Sequence, residues 1–334
     1  MKLPLTVVFA VAALLFGGCA SKPTQPDWIA GDSAKYTNAQ YLIGRGQAST
    51  IADAEDRARA DLAKVFQVAV AVDSEDVQRF NSAPGIAGGY AGESSRRITT
   101  RTDQIVSGIQ IAEIWQDTLG KTQYALAILP RLQTAASLRQ QINQLDDATQ
   151  ASIDQSKRNP DLFIKIAAAS KAVESQLERE GLQKALQVVD ITGRGVEPKF
   201  SSGILNADMG DLLKRVRIAP RVLEGSASGL NEIVAGALSQ AGFMIDTGDK
   251  PDFLLTAGLK LADLGMQEGW YWQRGDLEIT LSEAVSGRVR GTRHWFIKGV
   301  APDKETAIRR ALDEADTVLK KELRAAIIGM AVSQ

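Results

Sequence analysis

Cysteine and histidine are nearly absent from this sequence. Its 334 residues include one cysteine and one histidine. A single cysteine leaves no intramolecular disulfide, so packed cores must stabilise the folded chain. Zinc sites are built from clusters of Cys and His side chains, and the sequence predicts no metal site. His294 lies in an Arg-His-Trp-Phe segment of a predicted strand, which favours a structural role over a catalytic one.

An excess of charge of either sign is also missing. Lys and Arg number 39 and Asp and Glu number 40, which gives a formal net charge of −1. A protein that binds nucleic acid usually carries a basic excess on one face. The balance of charge therefore predicts no nucleic-acid partner.

Motifs that carry enzyme chemistry are missing as well. The Gly-Arg-Gly segment at 44–46 has Ser49 where a dinucleotide-binding motif has its third glycine. The glycine-containing loop at 224–229 lacks the lysine of a phosphate-binding loop, which favours a plain connector. Asp146 and Asp147 are interpreted as a solvated helix face, because adjacent side chains on a helix diverge. With no acid, base and nucleophile grouped together, we predict a protein that is not an enzyme and uses no cofactor.

Long apolar runs are limited to the N-terminus. Lys2 precedes an apolar run over residues 3–16, and two glycines and Cys19 follow. This is the layout of a secretory signal peptide, and the run is shorter than the ~20 residues that span a bilayer. The only cysteine lies where a bacterial lipoprotein signal peptide ends, and the residues at 16–19 resemble a lipobox. The pattern predicts a signal peptide over residues 1–18 and acylation of Cys19.

An alternative is cleavage at Ala20 or Ser21, which would discard Cys19. Acylation is favoured because a secreted chain rarely keeps one unpaired thiol. Each buried CH2 contributes ~0.8 kcal/mol to membrane binding, so a cysteine with two or more acyl chains is held durably. Ala20 and Ser21 lack the aspartate that resembles an inner-membrane retention signal. We therefore expect a lipid anchor in the outer membrane and a protein body that faces the periplasm.

The mature chain is predicted to begin with a tether and a first α+β domain. The tether, residues 19–34, contains two prolines and no periodicity, which is typical of an extended segment. Its Trp28 is interpreted either as a membrane-interface anchor or, preferably, as a cap on the core of the first domain. The first domain is predicted over residues 35–130.

One strand and one helix are the clearest elements of that domain. Residues 41–48 read as a strand, and Thr50 is placed to cap a helix that begins at Ile51. The helix has an alanine-rich stripe at helical spacing, which comprises Ile51, Ala54, Ala58, Leu62 and Val65. Further strands are predicted at 66–72, 97–117 and 122–130, with a glycine-rich loop at 81–93.

Three segments of this domain resemble a known family. They are Pro26-Asp27-Trp28, the strand with its Gly-Arg-Gly, and the alanine-rich helix at 52–62. Over residues 26–130 the chain resembles the N-terminal domain of LPP20-type bacterial surface lipoproteins, and a similar module opens the flagellar assembly protein FlgT. The resemblance implies an envelope lipoprotein and brings no catalytic residues.

The rest of the chain is predicted as a helical hairpin followed by a second α+β domain. Residues 131–187 form two amphipathic helices that Asn159-Pro160 separates, with Asp161 at the start of the second. Residues 188–334 contain a strand, a helix at 230–241, a β-hairpin through Ser286-Gly287 and a long C-terminal helix. Over 215–300 the order of elements resembles the N-terminal-type domain of TolB.

Aromatic residues are scarce, at 6% of the chain, but they cluster with arginines in the predicted β-hairpin through Ser286-Gly287. Aromatic residues and arginine are favoured at interface hot spots. The residues predicted to contact a partner are Trp270, Trp272, Arg290, Arg293 and Trp295. The alternative is a hairpin whose aromatics face the core and whose arginines face solvent.

The sequence as a whole predicts an α+β protein with two small sheet-plus-helix domains joined by an antiparallel helical hairpin. The predicted function is a non-enzymatic scaffold or assembly factor that binds envelope proteins, with flagellar machinery the first candidate. A glycan-binding or peptidoglycan-synthase-regulating lipoprotein is the alternative. The sequence leaves self-association open.

Overall fold

The computed structural model describes residues 25–64, 108–117, 120–246, 248 and 250–332. These residues divide into two compact units. The first contains described residues up to 62 and those from 109 to 129, and the second contains the remainder. The strand predicted at 66–72, the loop at 81–93, residues 97–107 and Cys19 lie outside the described residues.

The first unit combines a three-stranded sheet with two helical segments. They are α1 (Asp27–Ala30), β1 (Tyr41–Ala48), α2 (described over 51–64), β2 (Gln110–Asp117) and β3 (Thr122–Pro130). The sheet order is β1-β3-β2, and β2 pairs antiparallel with β3. Thr50 Oγ1 accepts a hydrogen bond from the Asp53 backbone N–H, which confirms the predicted cap of α2.

Trp28 lies in the core of the first unit, which confirms the preferred interpretation of this residue. Its side chain is 2% exposed and packs with Leu126 and Ile128 of β3. The indole Nε1 donates a 2.8 Å hydrogen bond to a carboxylate oxygen of Glu113 on β2. Residues 27–30 form the short helix α1, which differs from the extended tether expected there, because burial of Trp28 fixes this segment against the sheet.

Helix α2 approaches the sheet closely, as its alanine-rich stripe predicts. Ala54, Ala58 and Leu62 are fully buried. A Cβ atom on Gly46 of β1 would lie 2.0 Å from the Ala54 carbonyl oxygen, so only glycine fits there. Ile51, which was predicted on the same stripe, is 48% exposed because it lies in the first turn of the helix.

From residue 130 onward, the described part of the second unit starts with the predicted helical hairpin. Its helices are α3 (Arg131–Arg158) and α4 (Leu162–Val189). The Asp161 carboxylate accepts hydrogen bonds from the backbone N–H groups of Phe163 and Ile164, which confirms the predicted start of α4. Residues of α4 share one hydrophobic core with the sheet described next.

After the hairpin, the described residues of the second unit form a five-stranded sheet and three further helices. They are α5 (Ser202–Leu213), β4 (Arg217–Val222), α6 (Leu230–Ala241), β5 (Met244–Ile245), β6 (Phe253–Gln267), β7 (Trp270–Glu283), β8 (Val289–Ala301) and α7 (Lys304–Val332). The strand order is β5-β4-β6-β7-β8. Strand β4 is parallel to its neighbours, and β6, β7 and β8 are antiparallel. The predicted α+β class is confirmed.

The interpretation of Asp146 and Asp147 as a solvated face is wrong for Asp146. Asp147 is exposed, but Asp146 is 1% exposed and pairs with the buried Arg179 of α4. The distance from Arg179 Nε to Asp146 Oδ1 is 3.1 Å. An acid on a helix is buried when a cation on the facing helix supplies its counter-charge.

Candidate interaction surface

Alternation of buried and exposed residues along β7 and along β8 from His294 onward gives the second sheet one covered face and one open face. Leu277, Ile279 and Leu281 of β7 are fully buried, and they belong to the same core as helices α4, α6 and α7. Successive side chains of a strand point to opposite faces, so the even-numbered residues of β7 lie on the other face. Trp272, Arg274 and their exposed neighbours on β8 therefore form an open face of this sheet.

The turn between β6 and β7 brings the first two predicted contact residues together. Glu268 and Gly269 both have positive φ, at 50° and 81°, as the tight turn of a two-residue hairpin requires. Trp270 and Trp272 follow on one face of β7 and are 45% and 37% exposed. They form an aromatic pair on the open face beside the turn.

The other predicted contact residues are placed differently. Trp295 is 9% exposed, lies in the core cluster and donates a 2.8 Å hydrogen bond from Nε1 to Glu322 of α7. Arg290 has an 11% exposed side chain and forms ion pairs at 3.4 Å with Asp161 and with Glu283. Arg293 is exposed on β8 and pairs across the ladder with Ile279.

Residues outside the predicted contact set also belong to the open face, among them Arg274, Phe296 and Lys298. Phe296 of β8 is 78% exposed, and the Arg274 guanidinium carbon lies 6.0 Å from the centre of its ring. Lys298 is exposed and directly opposite Arg274 in the β7–β8 ladder. The alternation of Trp295 and Ile297 with these residues is the sequence signal that would have found them, since one set is apolar and buried.

Ion pairs fix the turn end and the far end of this sheet. At the turn end, a hydrogen bond from Lys304 lowers the pKa of Asp263 below its ordinary value, and their charged atoms are 2.8 Å apart. At the other end, a hydrogen bond from Arg217 lowers the pKa of Asp252, with a shortest contact of 3.0 Å. Asp263 lies on β6 and Asp252 directly precedes it, so these pairs connect this part of the chain to α7 and to β4.

The described residues contain no group of three or more His, Cys, Asp or Glu side chains arranged to hold a metal ion. Within the same ranges, no helix is long and apolar enough to cross a bilayer. The arrangement on the open face, with exposed aromatic rings and guanidinium and ammonium groups, is suited to contact with another molecule.

The solved structures similar to this chain include a secreted protein and lipoproteins. The secreted protein HP1454 from Helicobacter pylori is 11% identical, with a TM-score of 0.40, and the match covers 87% of this chain and 98% of that chain. A putative lipoprotein from Caulobacter crescentus CB15 is 16% identical, with a TM-score of 0.25 and coverage of 35% and 88%. A minor lipoprotein from Acinetobacter baumannii is 9% identical, with a TM-score of 0.25 and coverage of 36% and 92%.

Comparison with known sequences supports the first resemblance drawn from the residues. No curated protein sequence matches the chain significantly. The resemblances to FlgT and to TolB are not tested by these matches and stay predictions. Residues 26–129, which include the whole described part of the first unit after residue 25, match the model of the LPP20 lipoprotein family.

Proposed function

We propose that this chain is a lipid-anchored envelope protein that acts as a scaffold or assembly factor through contacts with other proteins. The observation that carries the proposal is the match of residues 26–129 to the LPP20 lipoprotein family. The matched region begins shortly after Cys19, which ends a signal-peptide pattern at the N-terminus. A lipoprotein needs its acceptor cysteine at this position, so the family match and the signal pattern support each other.

The open face supports a role in binding. Exposed aromatic rings and arginine are the side chains that most often dominate the binding energy of protein interfaces. Trp270, Trp272 and Phe296 are exposed on this face, and Arg274 lies over the ring of Phe296. An outer-membrane anchor and a flagellar machine are the finer parts of the proposal, and they are supported by the residues after Cys19 and by the resemblance to FlgT.

The anchor is tested by replacing the acceptor sulfur. Cys19→Ser should move the protein from the membrane fraction to the soluble fraction and abolish incorporation of a labelled fatty acid, because serine lacks the thiol that is acylated. Ser21→Ala is the matched control and should leave both properties unchanged. Wild-type protein that is soluble and unlabelled would contradict the proposal.

A further inference from the structure

The open face of the second sheet places two cations directly opposite each other. Arg274 of β7 pairs with Lys298 of β8, and these two residues are called the cation pair below. The Lys298 backbone N–H donates to Glu314 of α7, and the Val300 carbonyl accepts from Arg310 of the same helix. These backbone groups therefore point away from β7. The cation pair is thus a non-hydrogen-bonded pair, in which side chains approach each other most closely.

Like charges directly opposite on adjacent strands destabilise a sheet. Among the described residues, no carboxylate forms an ion pair with Arg274 or with Lys298. Asp276, two residues along β7 on the same face, pairs instead with His294 at 2.8 Å. A carboxylate brought from outside β8 to the side chain of Lys298 would offset the repulsion, and it would lie beside the exposed ring of Phe296.

The strand next to the cation pair is the outer strand of the sheet. The backbone groups of Lys298 and Val300 point outward, so the alternation along the strand directs those of Thr292, His294 and Phe296 outward as well. These three residues, called the β8 edge below, are exposed. Side chains of helix α7 bind the outward groups of Lys298 and Val300 and, within the described chain, form no hydrogen bond with the outward groups of the β8 edge.

We propose that the β8 edge accepts an extended acidic peptide segment of a partner protein, which adds a strand to the sheet and presents a carboxylate to the cation pair. The proposal rests on the proposed function and names the chemistry of the partner. A row of outward N–H and C=O groups is matched by another polypeptide backbone, whereas a lipid or a glycan has no such row. The cation pair selects acidic side chains on that peptide.

A second copy of this chain is disfavoured as the added strand. Strand β8 carries Arg290, Arg293 and Lys298 and contains no acidic residue. Antiparallel pairing of two β8 strands would bring two cationic strands together with no acidic residue on either, so neither copy would supply a carboxylate to the cation pair. An acidic strand has the complementary charge.

The test measures binding of two labelled octapeptides to the lipidated full-length protein in nonionic detergent. One peptide alternates valine with glutamate, and the other alternates valine with lysine. Fluorescence anisotropy should show saturable binding of the glutamate peptide only. His294→Pro removes one outward N–H without removing a ladder hydrogen bond, and should weaken binding at least tenfold. His294→Ala loses the same imidazole, and with it the 2.8 Å contact to Asp276, but keeps that N–H and should bind at least tenfold more tightly than His294→Pro.

Charge reversal gives a second, independent arm. Arg274→Glu combined with Lys298→Glu should weaken binding at least tenfold. The matched control reverses two exposed cations of α7, Arg309→Glu with Lys321→Glu, and should leave binding within twofold. If His294→Pro does not fold, as shown by its melting temperature, the charge-reversal arm decides.

Four results would overturn the proposal. They are failure of the glutamate peptide to bind, equal binding by the proline and alanine variants, equal loss in both charge-reversal proteins, and dimers in sedimentation that His294→Pro dissociates. Each of these leaves the membrane fractionation of Cys19→Ser unaffected, so failure of this inference and failure of the proposed anchor are separate outcomes.

Discussion

Asp146 and Arg179 form an ion pair that is buried inside the α3–α4 hairpin. Their side chains are 0% and 1% exposed. Arg179 also donates to the backbone carbonyls of Val196 and Glu197 in the segment that follows α4. The pair therefore joins three stretches of chain, and a buried charge left without its partner is costly.

Removal of one partner of this pair should destabilise the second unit strongly. Asp146→Ala or Arg179→Met leaves a buried charge unpaired, and we expect a loss of ~3–5 kcal/mol in the free energy of unfolding. Asp154→Ala, which removes the exposed partner of Arg158, should cost below ~1 kcal/mol. Urea unfolding measures all three, and similar losses for Asp146→Ala and Asp154→Ala would contradict the assignment.

Glu113 links stability of the first unit to pH. A hydrogen bond from Lys35, followed by one from Trp28, lowers the pKa of its carboxyl below the ordinary 4.5. A lowered pKa in the folded state stabilises the fold above the unfolded pKa, and this contribution is lost as the pH falls through the folded pKa. The melting temperature of the wild type should exceed that of Glu113→Gln at pH 6, and the difference should shrink below pH ~4.5. A difference that is independent of pH would contradict this assignment.

Single residues could be predicted where their role is local. Asp161 as a helix cap follows from its position after Asn-Pro and is confirmed by its two backbone contacts. The environment of Asp146 could not be predicted, because its partner lies 33 residues away on another helix. The environments of Trp295 and Arg290 could not be predicted for the same reason, since their partners Glu322 and Asp161 lie in distant parts of the chain.

At the scale of elements, glycine in a strand lies close against alanine in a helix in each unit. Gly46 faces Ala54 in the first unit, and Gly299 faces Ala307 and Ala311 in the second. A Cβ atom on Gly299 would lie 1.9 Å from the Ala307 carbonyl oxygen, a distance no real Cβ contact shows. Both helices therefore lie against backbone, and neither neighbour is a flexible side chain that could move aside.

Even the smallest side chain at position 299 should destabilise the second unit. Gly299→Ala forces α7 away from β8. We expect the free energy of unfolding to fall by ~1–3 kcal/mol or more, because the clash is with backbone. Gly236→Ala, at an exposed helical position with nothing within 4 Å of the added methyl, should be neutral or stabilising by ~0.5–1 kcal/mol. Thermal unfolding of both variants checks this, and an unchanged melting temperature for Gly299→Ala would show the contact to be loose.

The elements with a clear period were the ones that the sequence predicted well. The predicted helix at 230–241 is confirmed by α6, which buries Leu230, Val234 and Ala237 at helical spacing. Strand β7 of the predicted hairpin likewise buries every second residue from Leu277 to Leu281. Helix α5 was not predicted, since its residues include two glycines and only three buried positions. The open face of the sheet could not be predicted, because it follows from the strand register. That register depends on the bulge between Asp263 and Met266 and on the turn after it.

At the scale of the molecule, each of the two units has a hydrophobic core of its own. The first core is centred on Trp28, Leu126 and Ile128, and the second extends from α4 to α7. Separate cores allow separate losses of structure, because a domain with its own core unfolds as a cooperative unit.

A charge placed on α2 should therefore affect one unit only. Leu62 is fully buried, so Leu62→Asp buries an unpaired carboxylate and should abolish the calorimetric transition of the first unit while the transition of the second remains. Arg59→Asp, which loses only surface ion pairs with Glu55 and Asp56, should lower the melting temperature slightly. A single transition that shifts as a whole in Leu62→Asp would indicate that the units unfold together.

Burial of Trp28 limits the length of the linker between an acylated Cys19 and the first unit. The indole fastens residue 28 to the first sheet, so at most nine residue steps separate that sheet from Cys19. At ~3.3–3.6 Å per residue, these steps span no more than about 32 Å even when fully extended. A first unit on so short a linker stays close to the membrane that holds the acyl chains. A partner must therefore come to that membrane surface in order to bind it.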